Sequence, residues 1–223
     1  MLHSFFHLLF ISLVALFPVV NPLGSALIVN PYLSGLDKIQ RKSAVRQIAL
    51  YALGICVFFL FAGHFVLTMF GITIPVIQLA GGIMICKTGW DLLNNQSEDQ
   101  PKSQSLEMED ENQQASRIFG KLFYPITFPM TTGAGTISVL FTLGAHSVDA
   151  SISNYLVNNL AILTAIIIMC ILIIIFYQNT KIMLSFLNSN SENIINKLMA
   201  FLNFCVGLQI ATTGIKSIFL TGQ

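Results

Sequence analysis

The sequence predicts an all-α, polytopic membrane protein, with six transmembrane helices arranged as two inverted three-helix repeats. Three observations predict it. Six apolar segments, residues 5–29, 44–70, 72–93, 122–145, 155–177 and 194–220, approach or exceed the roughly 20 residues that a helix needs to cross the hydrocarbon core. The 223-residue chain is 54% hydrophobic and 9% charged, against about 25% charged residues in a soluble domain, and its mean hydropathy is +0.74. Finally, a Pro-x-x-x-Pro motif in the first segment, Pro18 to Pro22, recurs 107 positions later in the fourth as Pro125 to Pro129.

The first segment has no basic n-region and no small-x-small cleavage site, and it stays apolar through Val29. It therefore reads as an uncleaved span and not as a signal peptide. Within it, Phe17 to Ser25 holds two prolines, an asparagine and a glycine, all poor residues for an uninterrupted helix. The second and third segments are joined near Gly71 and read as a helical hairpin. Residues 94–116 are rich in Gln, Ser and Asn and hold Glu98, Asp99, Glu107, Glu109, Asp110 and Glu111. Such a composition cannot bury a core. It reads as a solvated linker, residues 94–120, between a first membrane repeat, 1–93, and a second, 121–223. Three spans per repeat insert the second upside down relative to the first.

The fourth segment repeats the break and follows it with Thr131, Thr132, Gly133 and Gly135. The last segment of each repeat carries a glycine pair seven apart, Gly82 with Gly89 and Gly207 with Gly214, and a polar residue ahead of it, Gln78 or Asn203. Lys38, Arg41, Lys42 and Arg46 lie in or beside the first loop, Lys102, Arg117 and Lys121 in or beside the third, and Lys181 and Lys197 border the fifth. The loops at Gly71 and at residues 146–154 have no Lys or Arg. The positive-inside rule then places the odd-numbered loops in the cytoplasm and both termini outside.

Two interrupted spans at corresponding places in two halves point to a midplane binding site of a transporter. Interior prolines remove backbone hydrogen bonds, and the freed groups survive only where protein or a wet cavity covers them. The half-helix that restarts presents free N–H groups and its positive dipole end, which suit a carboxylate. Candidate substrate-binding residues are Asn21, Pro22, Gly24, Ser25, Pro129, Thr131, Thr132, Gly133 and Gly135, with Gln78 and Asn203 deeper in the third and sixth spans. The competing reading makes the motifs proline kinks that shape packing, with hydroxyls satisfying the backbone. Lys87 and Asp91 flank Trp90 at i,i+4 spacing and read as an interfacial anchor. His64, in the second span, reads first as a hydrogen-bonded packing residue, with proton coupling as the lesser alternative.

No Walker motif, nucleophile elbow or HExxH is present, so neither an enzyme nor a cofactor is expected. The four cysteines lie in apolar runs without metal-ligand spacing, and a net charge of +1 gives no nucleic-acid signal. The expected partners are the lipid bilayer and a small solute; the oligomeric state is not indicated.

At these residues the chain resembles the MarC family of bacterial inner-membrane proteins (multiple antibiotic resistance protein family). The stretches that carry the resemblance are Asn21-Pro22-Leu23, Phe70-Gly71-Ile72-Thr73-Ile74-Pro75, Ala80-Gly81-Gly82, Pro125 through Ile137, Leu198-Met199 and Gln209. It implies six spans, both termini periplasmic, and kinship with amino-acid exporters and neutral amino-acid transporters. Two departures stand out: Ala134 follows Gly133 where the family has Gly-Pro, and Ala200 follows Met199 where a glycine is usual. The leading functional expectation is a secondary transporter or exporter of small solutes, neutral amino acids first, with the halves rocking around a site at the two breaks. The alternative is a scaffold or sensor that acts through the acidic linker.

Overall fold

The computed structural model describes residues 2–94, 111–147, 152–186 and 189–220. Every regular element among them is helical: α1 (Leu2–Val20), α2 (Pro22–Val29), a 3-10 turn (Asn30–Leu33), α3 (Lys38–Phe70), α4 (Ile74–Asn94), α5 (Glu111–Gly120), a distorted helical segment (Leu122–Thr131), α6 (Ala134–Ser147), α7 (Ile152–Phe186) and α8 (Ser189–Leu220). Three stretches are long and apolar enough to cross a bilayer: His3–Leu33, Lys38–Gly63 and Asn154–Thr180. Leu122–Thr131 and Ala134–Gly144, bent by 63° where they join, make a fourth if taken as one broken span. α4 and α8 are not among these stretches.

Local chemistry sets the boundaries. Asp37 caps α3 by accepting from the Gln40 N–H (2.7 Å), and Gln40 returns a bond from the Asp37 N–H (3.2 Å), a capping box. Gly71, at φ 65°, ends α3 in the left-handed conformation that glycine adopts without strain. That cap leads into α4 three residues later and makes the expected hairpin. Residues 95–110 lie outside the described chain, but Glu111–Gly120 is helical, buries Ala115 and packs on the distorted segment.

The main core joins α1 (Leu16, Val20), α3 (Val45, Ile48), the distorted segment (Leu122, Ile126), α6 (Leu140) and α7 (Ile162, Ile166, Tyr177). On the outside, α3 exposes Phe58, Phe61 and Phe65, and α7 exposes Leu160, Ile167 and Ile171. Apolar surfaces this continuous belong against lipid. Trp90 is exposed and lies against Phe204, ring centroids 6.1 Å apart.

α4 and α8 form the most extensive helix pair, and it is antiparallel. A Cβ on Gly82 would fall 2.6 Å from the Gly207 carbonyl oxygen, and one on Gly207 would fall 2.7 Å from that of Gly82. A Cβ on Gly89 would strike Ala200 O and Phe204 N, both at 2.7 Å, and one on Gly214 would strike Pro75 O and Leu79 N at the same distance. These positions are related by one shift of 125 residues, which carries Pro75 to Ala200, Gln78 to Asn203, Leu79 to Phe204, Gly82 to Gly207 and Gly89 to Gly214. Exchanging the two helices therefore reproduces the same contacts. Small residues that let backbones touch are the usual means of helix association in lipid.

Candidate functional site

The first break is a single residue. Asn21 sits between α1 and α2 at φ 43° and ψ 63°, the left-handed region. A residue before proline is disfavoured in the right-handed helix, and asparagine is among the few that enter the left-handed well readily. The same side chain then caps α2, accepting from the Gly24 N–H at 3.1 Å. Ser25 Oγ donates to the Asn21 carbonyl at 2.8 Å. A Cβ on Gly24 would lie 2.9 Å from Asn21 Cγ, so the glycine makes room for the cap. Because Oδ1 accepts a backbone N–H, the free end of the Asn21 amide is its NH2 group, which makes no hydrogen bond. Pro22 stands at the first helical position, where a missing N–H is harmless.

The second break is distributed. Tyr124 (φ −124°, ψ 127°) and Phe128 (φ −114°, ψ 121°) are both extended, and each precedes a proline, Pro125 and Pro129. Three threonine hydroxyls take carbonyls five residues back: Thr127 to Leu122 (2.7 Å), Thr131 to Ile126 (2.8 Å) and Thr132 to Thr127 (3.1 Å). These threonines are fully buried. A Cβ on Gly133 would meet the Pro129 carbonyl oxygen at 2.9 Å, and one on Gly135 would press on Ile85 and Val19. Gly135 thus seats α6 between α1 and α4, and Ser138 Oγ reinforces the seat by donating to the Ile77 carbonyl at 3.1 Å.

Tyr177 of α7 brings the two breaks together. Its phenol oxygen lies 2.8 Å from Thr131 Oγ1, and Ser25 faces the same oxygen. Thr131 donates its proton to Ile126 and Ser25 donates its own to Asn21. The phenol proton is thus the one left to share, and it has an acceptor on either break. Tyr177 is fully buried, and its backbone carbonyl accepts from Arg41 Nη2 at 3.0 Å. The same Arg41 nitrogen donates to Asn30 Oδ1 at 2.8 Å.

Ser25 and Thr131 therefore meet one side chain, while Asn21 reaches it only through Ser25 and the Thr132 hydroxyl bonds to the Thr127 carbonyl instead. Gln78 and Asn203 are buried in the α4–α8 pair; Gln78 lies beside Gly214, and the Asn203 carbonyl oxygen has no partner. Neither bonds to the break residues. Among the described residues no group of three His, Cys, Asp or Glu is arranged to hold a metal ion. Tyr177 and Arg41 were not among the sequence candidates, yet the signal was present. Arg41 shares a helical face with Ala44, Val45, Ile48 and Ala52, and Tyr177 with Ile173, Cys170 and Ile166. Polar groups in register with buried apolar residues face inward.

Residues 6–219 match the family described as MarC family integral membrane protein. The chain belongs to the MarC family. MarC relatives match it nearly end to end. The UPF0056 membrane protein YvbG of Bacillus subtilis is 30% identical over 220 residues, 98% of each chain. The UPF0056 inner membrane protein MarC of Escherichia coli K12 is 26% identical over 215 residues, 95% of each, as is that of Shigella flexneri. These MarC names describe membrane proteins and specify no reaction. No solved structure matches the chain.

Proposed function

We propose that this MarC-family protein is a secondary transporter or exporter of a small solute, with a neutral amino acid as the first candidate, in a bacterial inner membrane. The observation that carries the reading is the Tyr177 phenol set against both broken spans. Two interrupted helices that meet inside the protein form the kind of site that transporters build at the bilayer midplane. The Asn21 NH2 group, Ser25, the Tyr177 phenol and the Thr131–Thr132 hydroxyls are the ligand groups in this reading; Gly24, Gly133 and Gly135 hold the backbone that carries them. Threonines now bonded to carbonyls would exchange those bonds for the solute's polar groups when the second break moves. Gln78 and Asn203 are candidates for further polar lining.

The reading takes α4 and α8 as spans too, which gives six, two inverted repeats and both termini periplasmic. The exchange symmetry of the α4–α8 contacts supports the inverted repeat, and the distribution of Lys and Arg among the loops supports the orientation. The test is counterflow of labelled amino acids in proteoliposomes, with and without sodium and proton gradients. Saturable counterflow of one amino acid, lost in Asn21→Ala and Thr131→Ala at equal protein levels, is expected. Unchanged flux of every transported solute in both variants sinks the site.

One observation favours the scaffold or sensor reading: α5, at the end of the acidic linker, packs on the second break. Deleting residues 97–112 separates the two readings. A transporter keeps most of its flux, whereas a sensor loses its cytoplasmic partner.

A further inference from the structure

Arg41 is the one charged side chain among the described residues that is buried, at 7% exposure. It lies in the first turns of α3, just past the exposed Asp37–Lys38 end. Nη2 is fully used by Asn30 and the Tyr177 carbonyl, but Nε and Nη1 make no hydrogen bond. No carboxylate pairs with it among the described residues. Asp37, the acidic residue nearest in sequence, is exposed and turns its carboxylate to the Gln40 N–H. The start of α3 adds the positive end of a helix dipole to the same region.

A clamp between the Asn30 turn, α3 and α7 needs only the two bonds of Nη2, and a neutral donor would make them. A buried guanidinium with unpaired donors and no counter-charge is strongly unfavourable on its own account. It becomes favourable when an anion completes it through charge-assisted hydrogen bonds. One buried positive charge matches a monoanion and not a phosphate, which carries about −1.5 to −2 at neutral pH.

We propose that Arg41, near the start of α3, is a binding site for a small carboxylate, with Nε and Nη1 as the donors. The site lies one tyrosine away from the breaks, because the residue whose carbonyl holds Arg41 is the one whose phenol meets Thr131. It concerns binding alone and does not depend on the transport reading.

The test is thermal unfolding of the full chain in phosphatidylcholine nanodiscs, titrated with sodium acetate. Sodium chloride at matched ionic strength and neutral acetamide serve as controls. Acetate should raise Tm saturably, by roughly 5–10 °C at a hundredfold excess over Kd, with little response to chloride or acetamide. Arg41→Gln should lose the acetate response while its acetate-free Tm equals or exceeds that of the parent, because the uncompensated charge is gone. Arg41→Lys should keep a weaker response. The site is overturned if the parent shows no acetate-specific shift, if chloride matches acetate, or if Arg41→Gln responds undiminished. Adding phosphatidylglycerol distinguishes a lipid source: loss of the acetate response there assigns the arginine to a headgroup and overturns the carboxylate site. Should Arg41→Gln fail to fold, the parent titration and Arg41→Lys still decide.

Discussion

The two breaks share a Pro-x-x-x-Pro spacing and share little else. In the first, one asparagine takes the whole distortion and the helix resumes at once as α2. In the second, the distortion spreads over Leu122–Thr131, two residues turn extended, and the chain bends by 63° before α6. The difference lies in the residue before the second proline. Asn21 accepts a left-handed backbone and supplies its own cap, so the fault stays local. Phe128 can do neither and goes extended, and the turns widen so that carbonyls meet groups five residues on: the Thr127 carbonyl accepts both the N–H and the hydroxyl of Thr132, and Thr127 and Thr131 add their hydroxyls to Leu122 and Ile126. Proline spacing locates a break; the neighbouring polar residue decides its size.

Substitutions can break that comparison at either end. The largest effect should come from Asn21→Ala, which removes the cap and forces alanine into a left-handed backbone; the combined cost is ~2–3 kcal/mol, read as a lower unfolding midpoint in detergent. Asn21→Gly should recover most of that stability, since glycine tolerates both the conformation and the cap position. It should not recover flux, because the NH2 group is gone. Next comes Thr131→Val, which removes the hydroxyl's bond to the Ile126 carbonyl and takes an acceptor from the buried Tyr177 phenol, for about 1–3 kcal/mol; Thr131→Ser should be nearly silent in the same assay. Tyr177→Phe should cost about 0.5–1.5 kcal/mol and, by freeing the two breaks from each other, broaden spin-label distances between α2 and α6. The smallest stability effect belongs to Pro22→Ala, within about 0.5 kcal/mol, because Asn21 still makes the break. Pro129→Ala should instead narrow the bend when the same spin-label distances are measured across it. If Pro22→Ala straightens the first break as readily, Asn21 does not make that break by itself.

The positions of both breaks were legible because proline and glycine act through the backbone of their own neighbourhood. The partners of the break residues were not. That the Thr131 hydroxyl would be held by a tyrosine 46 residues away depends on how α7 docks, and no spacing rule reports it. Arg41 was read by its charge, as one more basic residue beside a loop, when its register with Ala44, Val45 and Ile48 placed it inside. Helices were recognisable by apolar length, but their ends moved: α3 begins at Lys38 and α7 runs to Phe186, because polar turns outside the apolar stretch continue the same hydrogen-bonded ladder. The seven-residue glycine spacing was visible on each helix. The 125-residue shift that makes the pairs coincide appears only when the two helices are laid together.

The glycine contacts between α4 and α8 also bear on mechanics. They recur from Pro75 to Gly89 on one helix and from Ala200 to Gly214 on the other, a seam of about 21 Å. At its glycines backbone meets backbone, and Cys86 Sγ adds a contact to the Phe204 carbonyl between them. A joint of that kind resists shear and twist. Each of its members belongs to a different half of the chain, so this seam ties the two halves together along its length. The two proline breaks stand in contrast to this seam: there the regular helical ladder is interrupted, and side chains, not backbone, make the joints.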